Sequence, residues 1–240
     1  MDLPSALEAE GNTVCVVGAG GKKSTLYALA GHLERAVVTA TVRIPPFDDQ
    51  VAEVRVTANP SQILENATDW PLGLVADRDG ERCHGYEPEQ IDALASVASD
   101  TTILVKADGA RTRWFKAPGE HEPQLPTTTD VVVPIASAKI VGETLTDEHV
   151  HRPERVAAIT GLERGDRIAV TDVATVLTSD RGGCKDVPDG ATVIPLLNMV
   201  DTPALESTAR DLAAEIHALR NVPHVALTRL LEDEPVIGVV

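Results

Sequence analysis

Lysine, cysteine and long apolar runs are all scarce in this 240-residue chain, and each scarcity excludes something. The three cysteines, Cys15, Cys83 and Cys184, are an odd set with no close pair. They offer neither a disulfide framework nor a Cys-x-x-Cys metal motif, which fits a reducing cytoplasm. No uninterrupted apolar run reaches the ~20 residues of a membrane-spanning helix. The opening Met1-Asp2-Leu3-Pro4 lacks the basic start and apolar core of a secretory signal, so a cytoplasmic, membrane-free protein is expected. Lysine stands at only six positions, 22, 23, 106, 116, 139 and 185, against 37 Asp and Glu, and the formal net charge is −16. A surface this acidic repels phosphate backbones and excludes non-specific nucleic-acid binding. It also fits high internal salt, and a halophilic archaeon is the expected kind of source.

Two of those lysines stand together in Val14-Cys-Val-Val-Gly18-Ala-Gly20-Gly21-Lys22-Lys23-Ser24-Thr25-Leu26. An apolar run that ends in glycines, then lysines and hydroxyls, then helical spacing reads as strand, tight loop and helix N-terminus. Backbone amides in such a loop wrap an anion, and the positive end of the helix dipole adds to the attraction. Two lysines spent here, in a chain so poor in them, argue for an anionic ligand. The expected site is Gly18, Gly20, Gly21, Lys22, Lys23, Ser24 and Thr25, holding the phosphates of ATP or GTP. The pattern Gly-x-x-x-x-Gly-Lys-[Ser/Thr] fits imperfectly. With Lys22 as the phosphate lysine, Val16 replaces the first glycine and Lys23 the hydroxyl; with Lys23, Lys22 displaces the glycine. A glycine is harder to replace than a hydroxyl that Ser24 supplies, which favours Lys22. A dinucleotide site is the rival: Gly18-Ala-Gly20 supplies two of its three glycines, and Arg43 suits a 2′-phosphate.

Apolar strands alternate with helical patterns along the whole chain, without repeats or low-complexity linkers. Strands are expected over 13–17, 36–41, 54–57, 74–76, 102–107, 130–135, 191–198, 224–228 and 236–240. Helices are expected over 2–10, 24–34, 60–66, 87–99, 152–160, 172–179 and 204–219. That order means a single α/β domain over 1–240, three-layered and P-loop NTPase-like with a mainly parallel sheet. Residues about 109–190 would contribute inserted loops and short helices to it.

Three further features bear on chemistry. Asp108 ends an apolar strand and resembles the carboxylate that holds Mg²⁺ in P-loop proteins; Ser24 would be its hydroxyl partner, and Lys22 and Asp108 the catalytic pair. A turn or cap carboxylate is the plain alternative. Leu197-Asn198-Met-Val-Asp201 matches two positions of the Asn-Lys-x-Asp motif that reads guanine, although a strand end followed by a helix cap explains it equally well. Residues 109–129 form a long charged loop, uncommon in a compact domain unless functional. Arg111, Arg113, Lys116, Glu120, His121 and Glu122 are its candidates for a switch or a partner surface. His149 and His151 lack a third ligand, which favours a surface role over a metal.

Together these pieces resemble the YqeC family, named for selenium-dependent molybdenum hydroxylase accessory or selenium cofactor biosynthesis proteins. The resemblance rests on Val17–Lys22 with Leu26-Tyr-Ala-Leu-Ala30, Val38-Thr-Ala-Thr41, Ala107-Asp-Gly109, Lys116-Ala-Pro-Gly-Glu-His-Glu-Pro123, His151-Arg-Pro153 and Leu197-Asn198 with Asp201. It implies a P-loop accessory protein that uses ATP or GTP with Mg²⁺ to mature a molybdenum, or selenium-containing, cofactor. Its partners would be a molybdenum hydroxylase or that enzyme's maturation proteins, and fold analogy adds a homodimer. Family members have threonine where Lys23 stands and glutamate where Lys106 stands. Both departures count against hydrolysis more than against binding. An NAD(P)-binding or nucleotidyl-transfer enzyme and a non-catalytic scaffold remain the alternatives.

Overall fold

The computed structural model describes residues 1–64 and 66–240; the expected helix over 60–66 includes Glu65, which lies outside the described residues. In chain order the strands are β1 (Thr13–Gly18), β2 (Ala36–Ala40), β3 (Glu53–Val56), β4 (Leu72–Val75), β5 (Asp77–Asp79), β6 (Arg82–His84) and β7 (Thr102–Lys106). They continue with β8 (Phe115–Lys116), β9 (Val131–Ser137), β10 (Val150–His151), β11 (Thr192–Val193), β12 (Leu196–Asn198), β13 (Ala226–Thr228) and β14 (Val236–Val239). The helices are α1 (Leu3–Ala6), α2 (Lys22–His32), α3 (Pro60–Leu64), α4 (Pro88–Ala95), α5 (Pro153–Thr160), α6 (Val170–Thr178) and α7 (Pro203–Leu219). Among the described residues no helix is long and apolar enough to cross a membrane.

The main sheet runs β14-β13-β12-β9-β1-β7-β2-β4-β3, with β11 also paired to β9; every pairing is parallel except that of the edge strand β14 with β13. Continuous apolar runs make this possible, because a parallel strand covered on both faces needs no polar side. Alternate residues then feed two different cores. Val14 and Val16 of β1 pack with Leu26 and Leu29 of α2 and Leu3 of α1. Cys15 and Val17 pack with Ile91 and Leu94 of α4 and Leu64 of α3. A third cluster joins α6 and α7 to Ala136, Leu197 and Leu227. The result is the expected three-layer α/β fold.

Strand order separates the two nucleotide readings. In the doubly wound dinucleotide fold the second strand lies directly beside the first. Here β7 intervenes between β1 and β2. The strand that leads into Asp108, β7, therefore runs beside the glycine-loop strand, and the loops at their carboxyl ends converge. The expected strand 191–198 is broken into β11 and β12, where Ile194-Pro195 interrupts the ladder with a residue that has no N–H. The hairpin β5–β6 was not expected from the sequence. Nor is the 109–129 segment a solvated loop: residues 115–119 are buried, and β8 pairs in parallel with β10.

Candidate functional site

The loop after β1 is tighter than the sequence pattern suggests. Val16 lies inside β1, paired with Lys106 and Val133, so the turn begins at Gly18 and reaches Lys22 with three residues between. Gly20 has φ +108° and Gly21 φ +135°, both strained for any side chain. A Cβ on Gly20 would stand 2.4 Å from the Ser137 amide nitrogen and 2.9 Å from the Trp114 carbonyl oxygen. That packing presses the loop onto the ends of β9 and the 109–114 segment. The amides from Gly20 to Ser24 donate no hydrogen bond to the described residues, as expected where a loop enters a helix. Thr25 is different. It is fully buried and its hydroxyl donates to the Gly21 carbonyl at 3.1 Å, so that hydroxyl is engaged in closing the turn.

Behind the loop lies a buried charge cluster. Lys22 Nζ donates to the Gly18 carbonyl and stands 2.9 Å from Asp108 Oδ1. Lys116 Nζ is 2.9 Å from Asp108 Oδ2, donates to the Gly109 carbonyl at 2.6 Å and pairs with Glu122 at 2.8 Å. Arg152 Nη1 completes the chain on Glu122 at 2.6 Å. Asp108 also accepts the Gly18 amide at 2.9 Å, tying β7 to the glycine loop. Its Oδ1 has no hydrogen bond among the described residues, only the Lys22 charge. Burial pushes the Asp108 carboxyl up, but Lys22 and Lys116 win and hold it below its ordinary value. Burial lowers Lys22 despite the opposing Asp108 charge. For Glu122, burial is again overcome, here by Arg152 and Lys116. Burial and the Arg152 charge push His151 down to about 4, so it is neutral at physiological pH.

In front of the loop is an open cavity of about 410 Å³. Its charged lining is Lys22, Lys23, Arg43, Lys106, Arg111 and Arg113, with no carboxylate. Only Lys22 of these six has a carboxylate within 4 Å among the described residues. Lys106 is 7% exposed and donates one bond, to the Arg43 carbonyl at 2.9 Å. Burial, then the Lys22 charge, pushes it down to about 8. In a chain with 37 Asp and Glu, no described carboxylate lines this cationic cavity.

The remaining lysines stand close by. Lys116 backs the loop, Lys139 borders a second cavity, and Lys185 Nζ donates to the carbonyls of Glu120 at 3.1 Å and Glu122 at 2.8 Å. The backbone is strained here too. Of the six non-glycine residues with positive φ among the described residues, Arg111, Thr112, Arg152 and Met199 belong to this region. Such strain persists where surrounding structure holds it, commonly at functional sites.

The second cavity, about 300 Å³, lies against Ser24, Lys139, Asn198, Met199, Asp201 and Arg229, and shares Ser24 and Met199 with the first. Asn198 is buried and its side chain is already engaged. Nδ2 donates to the Gly20 carbonyl at 2.8 Å, and Oδ1 accepts the Leu230 amide at 3.3 Å. It anchors the glycine loop from 178 residues away. Asp201 is exposed and pairs with Lys139 at 2.6 Å.

Of the long-loop candidates, Arg111 and Arg113 line the first cavity, Lys116 and Glu122 belong to the buried network, and Glu120 and His121 are exposed and line neither cavity. Lys106 as a cavity cation, Trp114 in the lining and Arg152 as the network's last member were not legible as site residues. Lysine scarcity was the available clue, since every lysine sits here.

The model of the family described as YqeC protein matches residues 14–154 of the chain. That span includes the glycine loop, Asp108, Lys116, Glu122 and Arg152. The protein described as "Uncharacterized protein YqeC" of Escherichia coli (strain K12) is 30% identical over 194 residues, covering 77% of this chain and 75% of that protein.

Proposed function

The chain belongs to the YqeC family, and from that premise and the site's charge we propose a nucleotide-binding protein that serves maturation of a molybdenum-hydroxylase cofactor. The observation that carries the nucleotide reading is the cavity lined by six cations and no carboxylate in a chain of net charge −16. Lys106 is buried with no carboxylate within 4 Å among the described residues, and such a cation is costly unless an anion completes it, while Lys23 and Arg113 are half-buried and Arg43 and Arg111 exposed at the cavity mouth. The free amides of Gly20–Ser24 and the Lys22 ammonium suit the phosphates, with Lys106, Arg43, Arg111 and Arg113 around them. Ribose and base would extend past Ser24 and Met199 into the second cavity, where Asp201 and Lys139 offer acceptor and donor.

Binding is the better supported activity than turnover. Asp108 is held between two ammonium groups, and the cavity has no carboxylate to orient an attacking water. Arg111 and Arg113, on a strained segment at the cavity mouth, are the residues through which a bound nucleotide would alter the surface seen by a partner. The molybdenum-hydroxylase role rests on the family resemblance, as does the involvement of selenium.

Trp114 lines the cavity and stacks on His149 with ring centroids 4.3 Å apart, so its fluorescence reports ligand entry. Titration with ATP, GTP and NADPH should change that emission for a nucleoside triphosphate. Lys22→Ala should weaken the response about 10- to 100-fold. Absence of binding by all three, or an unchanged affinity in the variant, sinks the nucleotide reading. Nucleotide-dependent capture of a molybdenum hydroxylase tests the accessory role.

A further inference from the structure

A P-loop reading brings with it Mg²⁺, held by Ser24 and Asp108, and the residues present do not fit that ion. Asp108 is 1% exposed, with an ammonium nitrogen 2.9 Å from each carboxylate oxygen. Magnesium is ordinarily held through one or two carboxylates beside the phosphates, and this one already has two cations. The residue after Lys22, where the pattern places the hydroxyl, is Lys23. No group of three or more His, Cys, Asp or Glu among the described residues is arranged to hold a metal. The cavity supplies the opposite: Lys23, Arg43, Lys106, Arg111 and Arg113 line it, and none has a carboxylate within 4 Å among the described residues. Lys106 is held by a single hydrogen bond and keeps two donors. A divalent cation placed here would meet like charge on several sides, whereas a polyphosphate would meet the charge it lacks.

We infer that the protein binds its nucleotide without a divalent cation, with Lys23 and Lys106 supplying the charge that Mg²⁺ would bring, and that it favours the triphosphate over the diphosphate. This rests on the nucleotide reading above. The distinguishing experiment is calorimetric titration of ATP and GTP, and of their diphosphates, into the full chain in EDTA and in excess MgCl₂ at matched ionic strength. The expected result is triphosphate binding in EDTA at least as tight as in MgCl₂, and about tenfold tighter than diphosphate. Binding only in MgCl₂ overturns the inference and leaves the nucleotide reading standing; binding in neither overturns both. Equal affinity for the two phosphate lengths removes the triphosphate preference. Lys106→Glu combined with Lys23→Thr should lose about 10- to 100-fold in EDTA and recover part of it with MgCl₂. If circular dichroism shows that double variant unfolded, Lys106→Gln takes its place and should lose affinity in EDTA without gaining a magnesium response. Unchanged EDTA affinity in either folded variant counts against the lysines.

Discussion

Replacing Lys106 with methionine should make the folded protein more stable and its cavity a weaker anion site. Lys106 ends β7, is 7% exposed, and among the described residues has only the Arg43 carbonyl at 2.9 Å as partner. Burial and the neighbouring Lys22 ammonium push its pKa from the ordinary lysine value down to about 8. A depression of that size means that holding the charge in the folded state costs about 3 kcal/mol at pH 7. Methionine keeps the apolar stem and removes the charge. The lost hydrogen bond gives back about 1 kcal/mol, leaving a net stabilisation near 2 kcal/mol. Urea unfolding followed by circular dichroism should show a midpoint about 1 M higher at pH 7.

The sign of the pH dependence follows from the same depression. Between about pH 8 and 10.5 the unfolded chain still binds the proton that folded Lys106 has released. Wild-type stability therefore rises with pH across that window relative to Lys106→Met, and the gap between them closes. A methionine variant less stable than wild type at pH 7, or a gap that widens toward pH 10, would refute the reasoning. Lys106 would then be a lysine whose charge stabilises the fold.

Two further substitutions probe the support around the cavity. Glu122 accepts from Lys116 at 2.8 Å, from Arg152 at 2.6 Å and from the Gly109 amide at 3.2 Å, so Glu122→Ala at pH 7 should cost about 3 kcal/mol by leaving buried Lys116 and half-buried Arg152 underpaired. Because its folded pKa is depressed well below the usual carboxylate range, that contribution is fully present above the ordinary glutamate value near 4.3 and is lost only as pH falls on through the depressed folded value. Thermal melts of wild type and variant should thus differ by about 6–10 °C at pH 7 and draw together progressively below about pH 4, and coincident melts at pH 7 would exclude the network. Gly20→Ala places a Cβ 2.4 Å from the Ser137 nitrogen at φ +108°, so the loop backbone must shift away from the end of β9. Nucleotide affinity should fall at least about tenfold while unfolding stays cooperative, and retained affinity would remove this loop as the phosphate cradle.

Much of the protein was legible in the chain itself. Val14–Val17, Ile103–Val105 and Val131–Val133 are uninterrupted apolar runs, and such runs flanked by helical spacing specify buried parallel strands whatever lies elsewhere. The glycines at 18, 20 and 21 specify a turn that other residues resist, so the loop and its helix were local facts. Six lysines against 37 acidic residues already marked lysine as a placed residue. Tertiary structure alone decided what the charges do. Asp108 reads as a free carboxylate until Lys22, 86 positions earlier, is found at 2.9 Å with Lys116 on its other oxygen. Asn198 reads as a base-recognition residue until its side chain is found on the Gly20 carbonyl, 178 positions away. Lys106 reads as a strand residue until the order β1-β7-β2 places its ammonium between Arg43 and the glycine loop. Backbone conformation is set by neighbours along the chain, whereas the environment of a charge is set by whatever the fold brings within a few ångströms of it.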